Sequence, residues 1–139
     1  MLLSWIPSCD QLQEKEQSIA DITYEQCEKH KPDVCFILSP DDENPAHAVV
    51  GRQCERVMRG RVPIVIRCQF PWNYTIGRPN LFVSLSQENL TVKRGVINAY
   101  QSQKFRYDYE TMLMNQCVVD GLSVKVPAAE KFELIRGVI

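Results

Sequence analysis

Apolar residues along this chain gather into runs of two kinds. DVCFIL (33–38) and VPIVIRC (62–68) are nearly continuous and rich in β-branched residues, the pattern of strands buried on both faces. Between them Ala46, Val49, Val50, Val57 and Met58 recur at helical spacing, which predicts a helix over residues 45–59. Asn44 can cap that helix, Pro45 suits its first position, and Asp41, Asp42 and Glu43 favour the positive end of its dipole. Gly60 stops it. Strand, helix and strand in about 35 residues make a βαβ unit, so the strands should be parallel and joined by a right-handed crossover.

The flanking pattern is less regular. Residues 13–29 are polar apart from Ile19, Ile22 and Cys27, which predicts a modest amphipathic helix. It ends near Lys31-Pro32, because proline disfavours helix in the residue before it. Residues 69–80 form a loop punctuated by proline and glycine, and LFVSLS (81–86) is a candidate strand. ENLTVKRGVINAY (88–100) fits a helix or a strand, and 101–110 is a polar connection. QCVVDGLSVKV (116–126) and KFELIRGVI (131–139) both read as strands.

The length of 139 residues suits one domain with its own core. A net charge of −1 gives no bulk attraction for nucleic acid, so any such partner needs a local basic patch. No apolar run reaches the length of a membrane span, and MLLSWIP is too short for a secretory signal. The expected location is intracellular, in cytoplasm or nucleus, with no membrane partner. Cys9, Cys27, Cys35, Cys54, Cys68 and Cys117 include no C-x-x-C pair, which favours buried thiols over a zinc site or disulfides. The sequon-like triplets at Asn73 and Asn89 are short enough to arise by chance.

Candidate chemistry is concentrated in cations. Arg52, Arg56 and Arg59 share one face of the 45–59 helix, and Arg61, Arg67, Lys93 and Arg94 could extend it. Guanidinium forks beside a βαβ unit suit phosphate oxygens. The plainer interpretation is a solvated helix face balanced by the acids at 41–43. His30 and His47 lack a nucleophile motif, and there is no G-x-S-x-G or Walker loop. The acidic run reads as solvated and capping, and no cofactor is implied.

The order of these features resembles the latter half of the Argonaute MID domain followed by the start of a PIWI domain. A strand ending in Arg67-Cys68-Gln69 stands where the family has a Gln-Cys pair near the 5′ phosphate of its guide RNA. Val92-Lys93-Arg94-Gly95-Val96-Ile97-Asn98 matches V-K-x-G-x-x-N at the family spacing. Gly121, Val124 and Pro127 match the G-x-D-V-x-x-P opening of PIWI, with Ser123 at the first catalytic aspartate, and KFELIRGVI is similar to the next strand. The resemblance is nearest the divergent, nematode-expanded branch, which often lacks the catalytic aspartates. It divides the chain into an unassigned segment (1–18), a partial MID-like domain (19–112) and the beginning of a PIWI-like domain (113–139). LLSWIP is the only candidate for an initial MID strand.

The resemblance implies an α/β fold in which a partial Rossmann-like MID βαβ unit precedes initial strands of an RNase H-like PIWI domain. It implies small-RNA binding and RNA-mediated silencing without cleavage, since slicing needs several carboxylates holding divalent metal. The implied 5′-phosphate contacts are Arg67, Cys68 and Lys93, assisted by Arg52 or Arg56; no catalytic or metal-binding residue is implied. Three departures alter the pocket: Gly51 replaces a phosphate-stacking tyrosine, Glu55 a companion lysine and Arg67 the glutamine. The alternatives are a protein-interaction module, or non-functional Argonaute remnant, recruiting partners through unpaired C-terminal strands, and a small α/β domain binding a phosphorylated metabolite.

Overall fold

A computed structural model describes residues 16–70, 73, 78–101 and 108–138. LLSWIP and most of the unassigned 1–18 segment lie outside the described residues, as do parts of the 69–80 and 101–110 connections. The fold is mixed α/β, with a four-stranded mixed sheet and four helices among the described residues. The helices are α1 (Glu16–His30), α2 (Pro45–Met58), α3 (Gln87–Ala99) and α4 (Tyr109–Ser123). The strands are β1 (Val34–Leu38), β2 (Ile64–Cys68), β3 (Leu81–Ser84) and β4 (Ala129–Gly137), in sheet order β1-β2-β4-β3. The chain divides into two compact units, Met1–Arg78 with Glu133–Ile139, and Pro79–Phe132.

In the first unit the βαβ expectation holds. Asn44 caps α2 by accepting the Ala46 N–H at 3.0 Å, Pro45 occupies the first turn, and β1 pairs parallel with β2 from Val34↔Ile64 to Leu38↔Cys68. Cys27, Ile37, Val62 and Val65 form the core, with Cys35, Cys54, Met58 and Ile135 packed against it. Two expectations need correction. The buried face of α1 is Ala20, Thr23 and Cys27, while Ile22 is exposed. Thr23 can be buried because its hydroxyl donates to the Ile19 carbonyl at 2.7 Å. β1, expected to be covered on both faces, alternates instead: Ile37 points into the core, whereas Val34 is 43% and Phe36 60% exposed.

Gly51 brings α2 against the end of β1. A Cβ there would stand 2.6 Å from the Leu38 carbonyl oxygen, so no larger residue fits without moving backbone. Position 51 is therefore required to be small by this chain's own packing.

In the second unit the ambiguous 88–100 stretch is helix α3. Ser86 accepts the Asn89 N–H while the Asn89 side chain accepts the Ser86 N–H, a reciprocal cap. The strand expected over 116–126 is an error: residues 116–123 are the last turns of α4. Asp108 caps that helix through the Thr111 N–H at 3.0 Å, and Gly121 lies so close to the Ala128 backbone that a Cβ would clash. A short apolar run such as CVVDGL fits either period, and these contacts decide it. β3 pairs antiparallel with β4, from Leu81↔Phe132 to Ser84↔Ala129. β4 lies between β2 and β3, so the expected incomplete pairing of the C-terminal strand is also corrected; among the described residues the sheet ends at β1 and β3.

Candidate functional site

Arg67 projects from β2 on the helix-covered side of the sheet and is only 14% exposed. Its Nε donates to Glu55 Oε2 on α2 at 2.9 Å, its Nη2 donates to the same oxygen, and its Nη1 donates to Glu133 Oε2 on β4 at 3.0 Å. Arg59 donates to the other oxygen of Glu55. Burial alone would lower the Arg67 pKa, but the bonds to Glu55 and Glu133 outweigh it and raise the value. Two guanidinium groups and two carboxylates leave this cluster formally neutral. Glu55 and Arg67 are thus partners of each other.

The other candidate cations are placed differently. Arg52 and Arg56 share the outer face of α2: Arg52 is half-exposed, 3.9 Å from a Glu16 oxygen, and Arg56 donates to Gln17 at 3.4 Å. Cys68, the last residue of β2, is half-buried and carries a thiol. The thiols of Cys27, Cys35, Cys54 and Cys117 are likewise in no disulfide, as expected, and burial raises the pKa of each of these four. Lys93 belongs to the second unit, where it is paired with Glu130. Ser123 ends α4, its hydroxyl donating to the Asp120 carbonyl at 2.6 Å, and so caps a helix where the resemblance implied a strand.

The acidic run before α2 is not uniformly solvated. Asp42 has a fully buried side chain. Its Oδ1 accepts the Asn44 N–H at 2.8 Å, and its Oδ2 accepts Asn73 Nδ2 at 3.0 Å and lies 3.2 Å from His47 Nδ1. Burial pushes the carboxyl pKa up, but the bonds from Asn44, Asn73 and His47 together hold it below the ordinary range. His47 also stacks at a tilt on Phe70, 5.3 Å between centroids. The chain's own carboxylate therefore sits at the start of α2, where the crevice of a parallel α/β sheet commonly receives a phosphate. Sequence reasoning missed this cluster. Its one local signal was an aspartate two residues before a capping asparagine, the spacing of an Asx turn.

A surface cavity of about 440 Å³ opens near the start of β1, lined by Cys27, Glu28, Lys31, Pro32, Asp33, Arg61 and Pro63. Its two basic and two acidic side chains give it no preference of charge, and Arg61 is already engaged by Glu28 at 3.5 Å and by the ring of Tyr24. Among the described residues no cluster of His, Cys, Asp and Glu is arranged to hold a metal ion, and no helix is long and apolar enough to cross a membrane. The chain matches no protein-family profile. No curated protein matches it significantly.

Proposed function

We propose that the chain is a non-catalytic protein-interaction module of Argonaute-like descent, a variant of the MID βαβ unit joined to the start of a PIWI-like region. It works through the exposed residues of β1. The observation that carries this reading is the exposure of Val34 and Phe36 on a strand at the sheet edge. Edge backbone groups recruit strands, and apolar side chains beside them add specificity. The state of Arg67 supports the same reading. A guanidinium held by two carboxylates must lose those bonds before it can receive a phosphate.

A second reading, small-RNA binding without cleavage, is favoured by one observation: Arg52 and Arg56 stay at the surface of α2, with Arg59 in the same row. Such a row would bind RNA through its backbone charge, with strong salt dependence and no preference for a 5′ end.

The interaction reading is tested by comparing proteins retained on immobilised wild-type chain with those retained on Val34→Lys of equal helicity. At least one partner, including the chain itself, should be retained by the wild type and lost from the variant. Identical retention on both would overturn the reading.

A further inference from the structure

Three of the chain's six cysteines meet in the first unit. Cys27, in the last turn of α1, belongs to the core, and Cys35 of β1 and Cys54 of α2 pack against it. Cys35 stands two residues before core residue Ile37, so both project from the same face of β1. Cys54 has its sulfur 3.6 Å from the hydroxyl of Thr23, one turn back from Cys27 along the buried face of α1. Burial raises the pKa of all three thiols, and at Cys35 the neighbouring Cys27 and Cys54 add to the rise. At Cys27 the Arg61 guanidinium pulls against it.

Cys27 differs from the other two in lining the cavity of about 440 Å³, although the residue is only 6% exposed. Glu28, Lys31, Asp33 and Arg61 stand in the same wall. Two charges of each sign favour neither an anion nor a cation, but they suit a ligand that carries both. Lys31 and Arg61 match carboxylates, and Glu28 and Asp33 match an ammonium group.

We infer that this cavity receives the disulfide of a small zwitterionic thiol, and that Cys27 exchanges with it and is then resolved by Cys35. The Cys27 thiol gives its proton to solvent, and the thiolate attacks one sulfur of the ligand. A bond from Cys27 to that sulfur forms as the ligand's S–S bond breaks, and the departing thiolate takes up a proton. The deprotonated Cys35 then attacks the Cys27 sulfur, forming the Cys27–Cys35 bond and expelling the second ligand thiol. Two protein thiols are oxidised and one disulfide is reduced to two thiols, so atoms and electrons balance. The bridge ties α1 to the strand that follows it, across the turn that lines the cavity.

Oxidised glutathione is the probe, reacted with the full chain and followed by acid quench, peptide mapping and mass spectrometry. The wild type should lose two hydrogens, mapped to a Cys27–Cys35 bridge. Cys35→Ser and Cys35→Ala, checked for wild-type helicity, should stop at one glutathionyl group on Cys27. Cys117 in the second unit is 2% exposed and lines no part of this cavity, and it should react about tenfold more slowly or less. In Lys31→Glu the rate with oxidised glutathione, relative to that with uncharged bis(2-hydroxyethyl) disulfide, should fall about threefold or more. A Cys27 left unmodified, a bridge from Cys27 to Cys54, or a rate ratio unchanged by Lys31→Glu would overturn the inference. So would Cys117 reacting as fast as Cys27, since oxidation would then proceed through unfolding and not through the cavity.

Discussion

In the unit built on α1, β1, α2 and β2, Arg67 is held between Glu55 and Glu133 beside a core of Ile37, Val62 and Val65. In the unit containing α3, α4 and β3, Lys93–Glu130 and Arg94–Glu110 are more accessible, and α3 has no buried residue. The same kind of ion pair does different work in the two places. Arg67 and Glu55 have lost most of their water, so each depends on the other; the partners of Lys93 and Arg94 can fall back on solvent. Charge beside a βαβ unit therefore does not by itself mark a ligand site. What matters is whether the chain has already supplied the counter-charge.

The largest expected effect comes from breaking the buried cluster. Glu55→Ala should lower stability by about 3–5 kcal/mol, because Arg67 is left poorly compensated in a low-dielectric setting. Glu130→Ala should cost no more than about 1 kcal/mol. Urea titration of both variants checks the difference, and equal losses would erase the contrast between the units.

Two glycines sharpen the comparison. Gly51→Ala should destabilise by about 2–3 kcal/mol, since its Cβ meets backbone at the end of β1. Gly95→Ala, in the interior of α3 with open space around the new methyl, should stabilise by about 0.5–1 kcal/mol. Thermal melts of the two variants should shift in opposite directions.

A smaller effect belongs to Asp42. Its folded pKa is lower than its unfolded one, so its stabilisation is present above the unfolded value and is lost as pH falls through the folded value. The wild type should therefore lose stability below about pH 4, beyond what Asp42→Asn loses over the same window. At neutral pH that variant should be weaker by about 1–3 kcal/mol, through bonds to Asn44, Asn73 and His47 that a neutral amide makes less well. Urea midpoints at several pH values measure both quantities.

The βαβ unit was legible because its signals are local: Asn44-Pro45 marks the start of α2, and the strands on either side are dense in β-branched residues. Residues 116–123 were not, because four turns of α4 are fixed by a cap at Asp108 and by the close approach of Gly121 to Ala128. The candidate cations were visible, but not their partners. Glu133 is 66 residues from Arg67, and no spacing rule links them. The one-sided exposure of β1 was hidden for a related reason: a continuous apolar run looks the same whether its second face is covered or open.

That Arg67 is held within the chain and not offered to a ligand is tested most directly by titrating the full chain with one RNA in two forms, 5′-phosphorylated and 5′-hydroxyl, at physiological salt. Equal affinities within about twofold are expected for the wild type and for Arg67→Ala. A preference of about tenfold or more for the phosphorylated form, abolished by Arg67→Ala, would contradict it and assign Arg67 to an RNA 5′ end.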